Sequence, residues 1–179
     1  MKHLAFFFSS KSLLSTFIGL LFPLITQAGE VITSDANGNE LRYTYDTDDG
    51  PATFAGVNSL ASTEVIVANS ITDDDGNNHL VTAVGRSAFQ DQRTITTITF
   101  GEALETIAND YWVFYNCSAL KRMVLPGVNY PFQTNPYLNS GIVLVVHPDL
   151  VETYQTNSFT SSYRIIAYGA ATEVTITTT

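Results

Sequence analysis

The sequence predicts a mainly β repeat solenoid, and three observations support this fold class. Residues 81–128 contain two similar segments, in which Val84 is matched by Ile107. After a two-residue insertion, four further apolar positions are matched: Phe89 with Phe114, Ile95 with Leu120, Ile98 with Met123, and Phe100 with Leu125. The last two positions of each apolar trio are two residues apart, the spacing that directs both side chains to one face of a strand. A period in the twenties is typical of stacked repeats, which bury their apolar rows against one another.

Several stretches of the chain resemble one known family. The residues Val84-Gly-Arg-Ser-Ala-Phe89 and Phe114-Tyr-Asn-Cys117, each followed by an apolar strand pattern, are similar to the BspA-like bacterial surface leucine-rich repeats. Those repeats read roughly I-G-x-x-A-F-x-x-C-x-x-L-x-x-I-x-I-P. Residues 43–46 with 64–68 resemble the first segment of the family, and residues 144–154 resemble its closing segment. The resemblance implies a short leucine-rich-repeat stack.

The chain departs from the family pattern at three places. The second repeat has two extra residues between Ala108 and Phe114, Gln92 stands where the family has Cys, and His147 stands where the closing strand usually has Pro. These departures affect the regularity expected of the stack rather than the fold to which it belongs.

The N-terminus has the layout of a secretory signal peptide. Residues 1–3 and Lys11 supply positive charge, residues 13–25 are almost entirely apolar, and residues 26–28 end in a small residue that suits cleavage. The apolar run is shorter than the ~20 residues that span a bilayer, so an uncleaved anchor is the less favoured alternative. We expect the exported chain to begin near Gly29, to carry no membrane span, and to be secreted, periplasmic or held at the cell surface.

The rest of the chain divides into a repeat region between two caps. Residues 41–45 and 52–57 predict an N-terminal β-hairpin that covers the open end of the stack. Residues 142–146 and 163–168 predict strands, and Asp149 is expected to N-cap a short helix between them, which makes a strand-helix-strand cap. The predicted segments are 1–28, signal peptide; 29–80, N-terminal β cap; 81–128, two clear leucine-rich repeats; 129–169, a degenerate last repeat and C-terminal cap; and 170–179, a Thr-rich tail.

The composition is acidic. The chain has 17 acidic and 8 basic residues and a formal net charge of −9. Cleavage after residue 28 removes Lys2 and Lys11 but no acidic residue, so the formal charge of the remainder becomes −11. This charge opposes nucleic acid and anionic membranes as partners. Cys117 is the only cysteine, so an internal disulfide is excluded.

The two acidic turns invite a calcium interpretation, because hard cations prefer clustered carboxylate and carbonyl oxygens. Residues 48–51 and 73–78 are rich in Asp, Asn and Gly, but neither stretch fits the loop D-x-[DN]-x-[DN]-G-x5-E. Turn geometry explains both stretches equally well, since these residue types tolerate its dihedral angles. We therefore expect no metal site.

The groups available for catalysis are few. His79 lies beside a turn and His147 beside a strand end, and no nucleophile elbow, zinc motif or phosphate loop is present in the sequence. Glu102 and Glu105 have the residue type of a glycosidase pair but are more typical of solvated surface charges. The sequence therefore predicts neither an enzyme nor a cofactor.

Cys117 and an aromatic group allow two interpretations each. Cys117 is either a redox or cross-linking thiol or a small buried residue at the corner of a repeat, and the second is expected.

Tyr111, Trp112 and Tyr115 lie in or next to the two-residue insertion of the second repeat. We expect part of this group to pack and part to be exposed, where it would offer a second contact surface.

The resemblance implies an exported, non-catalytic protein-binding or adhesion module, with a protein ligand that the sequence does not identify. The alternatives are a structural unit of a surface assembly, continued through the Thr-rich tail, and a carbohydrate-binding module that uses exposed aromatic residues. The side chains that alternate with the buried row are predicted to form the contact face; they could instead pack against the N-terminal hairpin. These candidate binding residues are Thr97, Thr99, Arg122, Val124, Val143 and Val145.

Overall fold

The protein is represented by a computed structural model that describes residues 28–110 and 112–169. Over this range the chain is mainly β, with one short α-helix. Except for Ala28, the predicted signal peptide lies outside the described residues, as does the Thr-rich tail. The elements are β1 (Gly29–Ser34), β2 (Glu40–Tyr45), β3 (Ala52–Ser59), β4 (Glu64–Ile66), β5 (Ser70–Thr72), β6 (Asn78–Val84), β7 (Thr97–Thr99), β8 (Thr106–Ile107), β9 (Arg122–Leu125), β10 (Val143–Val146), a 3-10 helix (Pro148–Leu150), α1 (Val151–Thr156) and β11 (Arg164–Ala167).

The first sheet joins the N-terminal strands to the repeats. Strands β1, β2 and β3 pair antiparallel, so β2 and β3 pair where the sequence predicts a hairpin, and β3 then pairs parallel with β6. Strand β6 also pairs antiparallel with β5 and parallel with β8. The predicted match of Val84 with Ile107 is confirmed as a strand pair, and a bridge from Ile107 to Phe132 extends the same row.

The second sheet is wholly parallel, with the strand order β11-β10-β9-β7-β4. In this sheet Ile98 pairs with Met123, as the repeat predicts, and Met123 pairs with Leu144. These three side chains are fully buried. Because side chains alternate along a strand, the residues on either side of them face away from the core.

Side chains from both sheets form one apolar core. Its aromatic centre is a column in which the rings of Phe54 and Phe89 are 4.8 Å apart and those of Phe89 and Phe114 are stacked at 5.6 Å. The predicted match of Phe89 with Phe114 is therefore a direct contact between neighbouring repeats. Burial of an aromatic side chain of this size contributes about 1.5–3 kcal/mol to the stability of the fold. The column therefore stabilises the packing of the hairpin against the repeats.

The C-terminal segment contains the predicted strands and helix, but the prediction that Asp149 is the N-cap residue of the helix is wrong. Asp149 does not cap the helix; its own N–H donates to Nδ1 of His147 at 3.3 Å, and His147 is the N-cap of the 3-10 helix. Pro148 explains the difference, because proline suits the first helical position and makes the preceding residue the cap. Leu150 precedes α1 without a side-chain cap.

Candidate protein-binding face

The outward side of the parallel sheet carries two rows of side chains, which we call the strand face. Strand pairing places the members of each row side by side, with a spacing of ~4.8 Å between neighbouring strands. The arginine row consists of Glu64, Thr97, Arg122, Val143 and Arg164. The apolar row consists of Ile66, Thr99, Val124, Val145 and Ile166. All six residues predicted from the sequence lie in these two rows, so the structure brings them together.

The middle of the apolar row is less accessible than the sequence suggested. Val124 and Val145 are each only 5% exposed, although neither belongs to the apolar core. Their position on inner strands does not by itself explain this, because Thr99, on the inner strand β7 of the same row, is half-buried. The sequence pattern places both valines in the predicted contact face, but at this exposure they offer little accessible area to a partner. Thr97, Thr99, Arg122 and Val143 are half-buried.

Sequence reasoning missed both ends of the strand face. On β4 it missed Glu64 and Ile66, and on β11 it missed Arg164 and Ile166. A signal for β11 was present, because Arg164 follows Val143 at the same interval at which Val143 follows Arg122. Strands β5 and β6 lie between β4 and β7, so the interval from Glu64 to Thr97 is longer and does not reveal that these residues share a row.

The charges of the strand face are unequally distributed. Arg122 and Arg164 lie in the same row, separated by Val143, and are therefore about 10 Å apart. Glu64 is the only acidic residue of the two rows and lies at the opposite end. Within the two rows the basic residues therefore lie on β9 and β11 and the acidic residue on β4.

The β4 end of the sheet is closed by side chains from the turn between β1 and β2. A carboxylate oxygen of Asp35 accepts the N–H of Ile66 at 2.8 Å, and the amides of Asn37 and Asn39 donate to the carbonyl oxygen of Glu64 at 2.9 and 2.8 Å. Partial burial would raise the pKa of Asp35, but hydrogen bonds from Ile66 and Asn39 lower it below its usual value. These side chains replace the hydrogen bonds that a further strand would supply to this edge.

A similar turn between β5 and β6 holds the buried His79. Nε2 of His79 lies 3.2 Å from a carboxylate oxygen of Asp73, and Nδ1 lies 2.8 Å from the carbonyl oxygen of Gly50. The ring of Tyr45 stacks on the imidazole at 4.1 Å. Burial would lower the pKa of His79, but the two acceptors raise it, because they favour an imidazolium that donates from both nitrogens. His79 is fully buried, so it is not presented to a substrate.

The acidic turn at Asp73 is explained by the hydrogen bonds it makes within the protein. Its carboxylate accepts the N–H groups of Asp75 and Asn77 and the side-chain amide of Asn77. Burial would raise the pKa of Asp73, but these hydrogen bonds and the one from His79 lower it to about 2. Among residues 28–110 and 112–169, no group of three His, Cys, Asp or Glu side chains is arranged to hold a metal ion.

Cys117 is buried, as expected from its place in the repeat. Its thiol donates to the carbonyl oxygen of Phe89 at 3.0 Å, so it links the corners of two neighbouring repeats. Burial raises the pKa of Cys117 to about 11. At neutral pH the thiol is therefore protonated, and the reactive thiolate is scarce.

The aromatic group of the insertion is partly packed and partly exposed. The rings of Trp112 and Tyr115 contact each other edge to face at 4.6 Å, and Tyr115 is 45% exposed. A small open pocket is lined by residues 107, 108, 110, 113 and 114 on one side and by residues 132–136 on the other. Its cavity volume of about 10 Å³ is far below the ~300–1,000 Å³ of typical small-molecule sites. Tyr111 lies outside the described residues.

The remaining candidates for catalysis are dispersed. Glu102 and Glu105 are exposed beside the turn that precedes β8. His147 faces the carboxylate of Asp149 at 3.7 Å, next to the 3-10 helix. None of these groups lines the pocket formed by residues 107, 108, 110, 113, 114 and 132–136.

Residues 52–166 match the family model described as BspA type leucine rich repeat region, with six copies. The chain belongs to this family. The BspA-type match begins at β3 and ends within β11, so it reaches every strand of the parallel sheet. It also contains all the residues of the strand face. Leucine-rich repeats of this type serve as protein-interaction or structural modules, which present extended surfaces.

Three solved structures resemble the chain. A leucine-rich repeat protein from Bacteroides capillosus has 14% identity and a TM-score of 0.48, over 75% of this chain and 97% of that one. A leucine rich cell surface protein from Faecalibacterium prausnitzii has 17% identity and a TM-score of 0.43, over 76% and 30%. A leucine-rich repeat protein from Bacteroides ovatus has 17% identity and a TM-score of 0.36, over 72% and 39%. At these values the family assignment rests on the sequence match alone. A comparison with curated proteins finds no match.

Proposed function

We propose that this chain is an exported bacterial leucine-rich-repeat protein that acts as a non-catalytic protein-binding or adhesion module through its strand face. The observation that supports this most strongly is the pair of rows on the parallel sheet. Five strands in register carry an apolar row next to an arginine row on the side that does not form the core. The accessible members of the two rows are spread over all five strands, an extent that suits a macromolecular partner better than a small ligand.

The proposal treats the parallel strands as successive coils of a short solenoid. Residues 29–80 then form an N-terminal β cap, and residues 129–169 form the last coil and a C-terminal cap. The closure of the β4 edge by Asp35, Asn37 and Asn39 supports a capping role for the N-terminal region. In the described part of the chain no helix is long and apolar enough to cross a membrane.

Export is supported by the pattern of residues 1–28 and by the bacterial surface setting of the family. N-terminal sequencing of protein recovered outside the cytoplasm tests it directly. We expect the sequence to begin near Gly29. Recovery of protein that still begins with Met1 would refute cleavage at this position.

The binding role is tested by placing charge on the strand face and on the outer turns. Thr97→Glu combined with Thr99→Glu changes both rows at half-buried positions, and the new residue at 97 lies between Glu64 and Arg122. The matched control adds the same two charges on the turns, as Gln90→Glu with Asn109→Glu. Both proteins are immobilised and incubated with extracts of surface proteins, and the captured partner is quantified by mass spectrometry.

We expect the strand-face variant to lose its partner and the turn variant to keep it. Thr97, Thr99 and Gln90 are half-buried and Asn109 is exposed, so the thermal unfolding of both variants is measured beside that of the parent protein, and a midpoint within a few degrees shows that the fold is retained. Loss of capture in the turn variant alone would place the contact on the outer turns and refute the proposal. Retention on polysaccharide rather than on protein would favour a carbohydrate-binding module.

A further inference from the structure

We infer that residues 170–174, which follow the last described residue, return along the open edge of β11 and pair with it as an antiparallel strand. The binding site is the backbone of β11, and its occupant is the adjoining segment of the same chain. This pairing covers the end of the parallel sheet that lies opposite β4. The inference concerns the edge of the sheet, so it is independent of binding at the strand face.

Strand β11 directs part of its backbone away from the sheet. It pairs with β10 on one side, and among the described residues no strand lies on its other side. The N–H of Tyr168 donates to the carbonyl oxygen of Val146, so the even-numbered residues of this segment face β10. Successive residues of a strand direct their backbone groups to opposite sides. The backbone groups of Ile165 and Ala167 therefore point to the open edge, where a further strand can bind them.

The side chains along this edge are incompletely covered. Tyr163 and Ile165 pack against the apolar core but are only half-buried, and Tyr168 is 48% exposed. Arg164 is exposed, and no carboxylate lies within 4 Å of its guanidinium among the described residues. A strand added here therefore gains main-chain hydrogen bonds, apolar contact and a charge to pair with.

The chain reverses direction immediately after β11. Tyr168 and Gly169 form a turn, and Gly169 has a φ of 73°. This value suits glycine at the second central position of a type II turn. A turn with these two central residues makes Ala167 and Ala170 a hydrogen-bonded pair, which uses the backbone groups of Ala167 that point to the open edge. The turn and the edge thus require the same register.

The residues after the turn suit this edge in composition and in register. Residues 172–179 consist of Thr, Val and Ile apart from Glu173, and these β-branched types are enriched in strands. Counting along both strands from the turn places Glu173 opposite Arg164, where the two charges attract. The same count places Val174 opposite Tyr163, on the side of the sheet that faces the core. One register therefore satisfies the backbone, the charge and the apolar side chains together.

Hydrogen exchange of single amides, measured by NMR, tests the pairing in the exported chain, residues 29–179. We expect the amides of Ile165 and Ala167 to be protected there and to exchange at least ~10-fold faster in a chain that ends at Gly169. The amide of Ile166 is the internal control. It faces β10, so its exchange should change much less between the two chains.

Two proline variants of residues 29–179 test the register without shortening the chain. Thr172→Pro removes an N–H that the register directs to the carbonyl oxygen of Ile165, whereas Ala171→Pro removes one that points away from β11. We expect the amide of Ile165 to lose its protection in Thr172→Pro and to keep it in Ala171→Pro. If Ile166 also loses protection in the shortened chain, that chain has unfolded, and these two variants decide the question.

The charge pair gives a test that is specific to side chains. Glu173→Arg places two positive charges opposite each other and should speed the exchange of the Ile165 amide. Combining it with Arg164→Glu restores an attractive pair with the charges exchanged, so protection should return.

The inference is overturned if the amides of Ile165 and Ala167 exchange equally fast with and without residues 170–179. It is also overturned if Thr172→Pro and Ala171→Pro exchange alike. Protection that increases with protein concentration would assign the strand to a neighbouring copy, as in a surface assembly, and would overturn pairing within one chain.

Discussion

The side chain of Asn39 is predicted to contribute more to the free energy of unfolding than a side chain that hydrogen-bonds only within its own turn. It is fully buried and makes four hydrogen bonds. Its amide donates to Asp35 at 2.9 Å and to the carbonyl oxygen of Glu64 at 2.8 Å, and its oxygen accepts the N–H groups of Ala61 and Ser62 at 2.9 and 2.8 Å. Asn39 therefore ties the turn after β1 to the segment that leads into β4.

Replacement of Asn39 by alanine removes all four hydrogen bonds. At about 0.5–1.5 kcal/mol each, their loss should lower the free energy of unfolding by about 4 kcal/mol. This is a large part of the ~5–15 kcal/mol that stabilises a typical domain. For a domain of this size, each kcal/mol corresponds to about 2–4 °C, so the thermal midpoint should fall by about 10 °C.

The chain contains a matched control at Asn77. Asn77 occupies the same position in the turn at Asp73, and its amide donates to that carboxylate at 3.0 Å, but no long-range hydrogen bond of its side chain is seen within the described residues. Asn77→Ala should therefore cost only about 1 kcal/mol. Urea unfolding of the two variants measures the difference. If their free energies of unfolding agree to within ~0.5 kcal/mol, the link from Asn39 to β4 contributes nothing and the argument for edge closure is wrong.

Three further predictions concern buried groups. The pKa of His79 is raised in the folded protein, so its contribution to stability should be complete below the usual value of 6.5 and be lost as the pH rises through the folded pKa. The pKa of Asp73 is lowered from 3.8 to about 2, so its contribution should be complete above 3.8 and be lost as the pH falls through the lower value. Urea unfolding between pH 2 and pH 9 should therefore show the greatest contribution of this pair between about pH 4 and 6.5, and a His79→Gln variant that kept the alkaline loss would contradict this assignment. The thiol of Cys117 should react with an aromatic disulfide reagent only as fast as the protein unfolds, because burial raises its pKa to about 11; rapid labelling of native protein would contradict this. Tyr154→Phe should leave the free energy of unfolding unchanged or raise it by up to ~1 kcal/mol, since the buried hydroxyl has no hydrogen-bond partner among the described residues; a loss of more than 1 kcal/mol by calorimetry would show that the hydroxyl has one.

The repeat contacts could be predicted from the sequence because each coil repeats the same apolar requirement. The spacing that relates Ile98 to Met123 identifies residues that pair across neighbouring strands, and the match of Phe89 with Phe114 identifies rings that stack. Equivalent positions in successive coils have the same environment and therefore need the same type of residue, so one sequence is enough to align them.

The edge closure at β4 could not be predicted in the same way. Asp35 and Asn39 are ordinary turn residues in the sequence, and only the tertiary structure brings them to the backbone of Ile66 and Glu64. Sequence patterns specify a turn but not the distant groups that it meets.

The candidate site was predicted in part. The alternation along each strand places Thr97, Thr99 and Arg122 on the outward face. It does not give their accessibility, because Val124 is only 5% exposed while Thr99, its neighbour in the same row, is half-buried. Arg164, on the edge strand, is exposed, whereas Arg122, on an inner strand, is half-buried.

The strand face is tested most directly by photocrosslinking from defined positions. A benzoylphenylalanine placed at Thr99 lies in the apolar row, and one placed at Asn109 lies on an outer turn. Irradiation of cells that display each variant, followed by mass spectrometry of the adducts, identifies what each position touches. We expect a protein adduct from position 99 and none from position 109; the same adduct from position 109, with none from position 99, would contradict binding through the strand face.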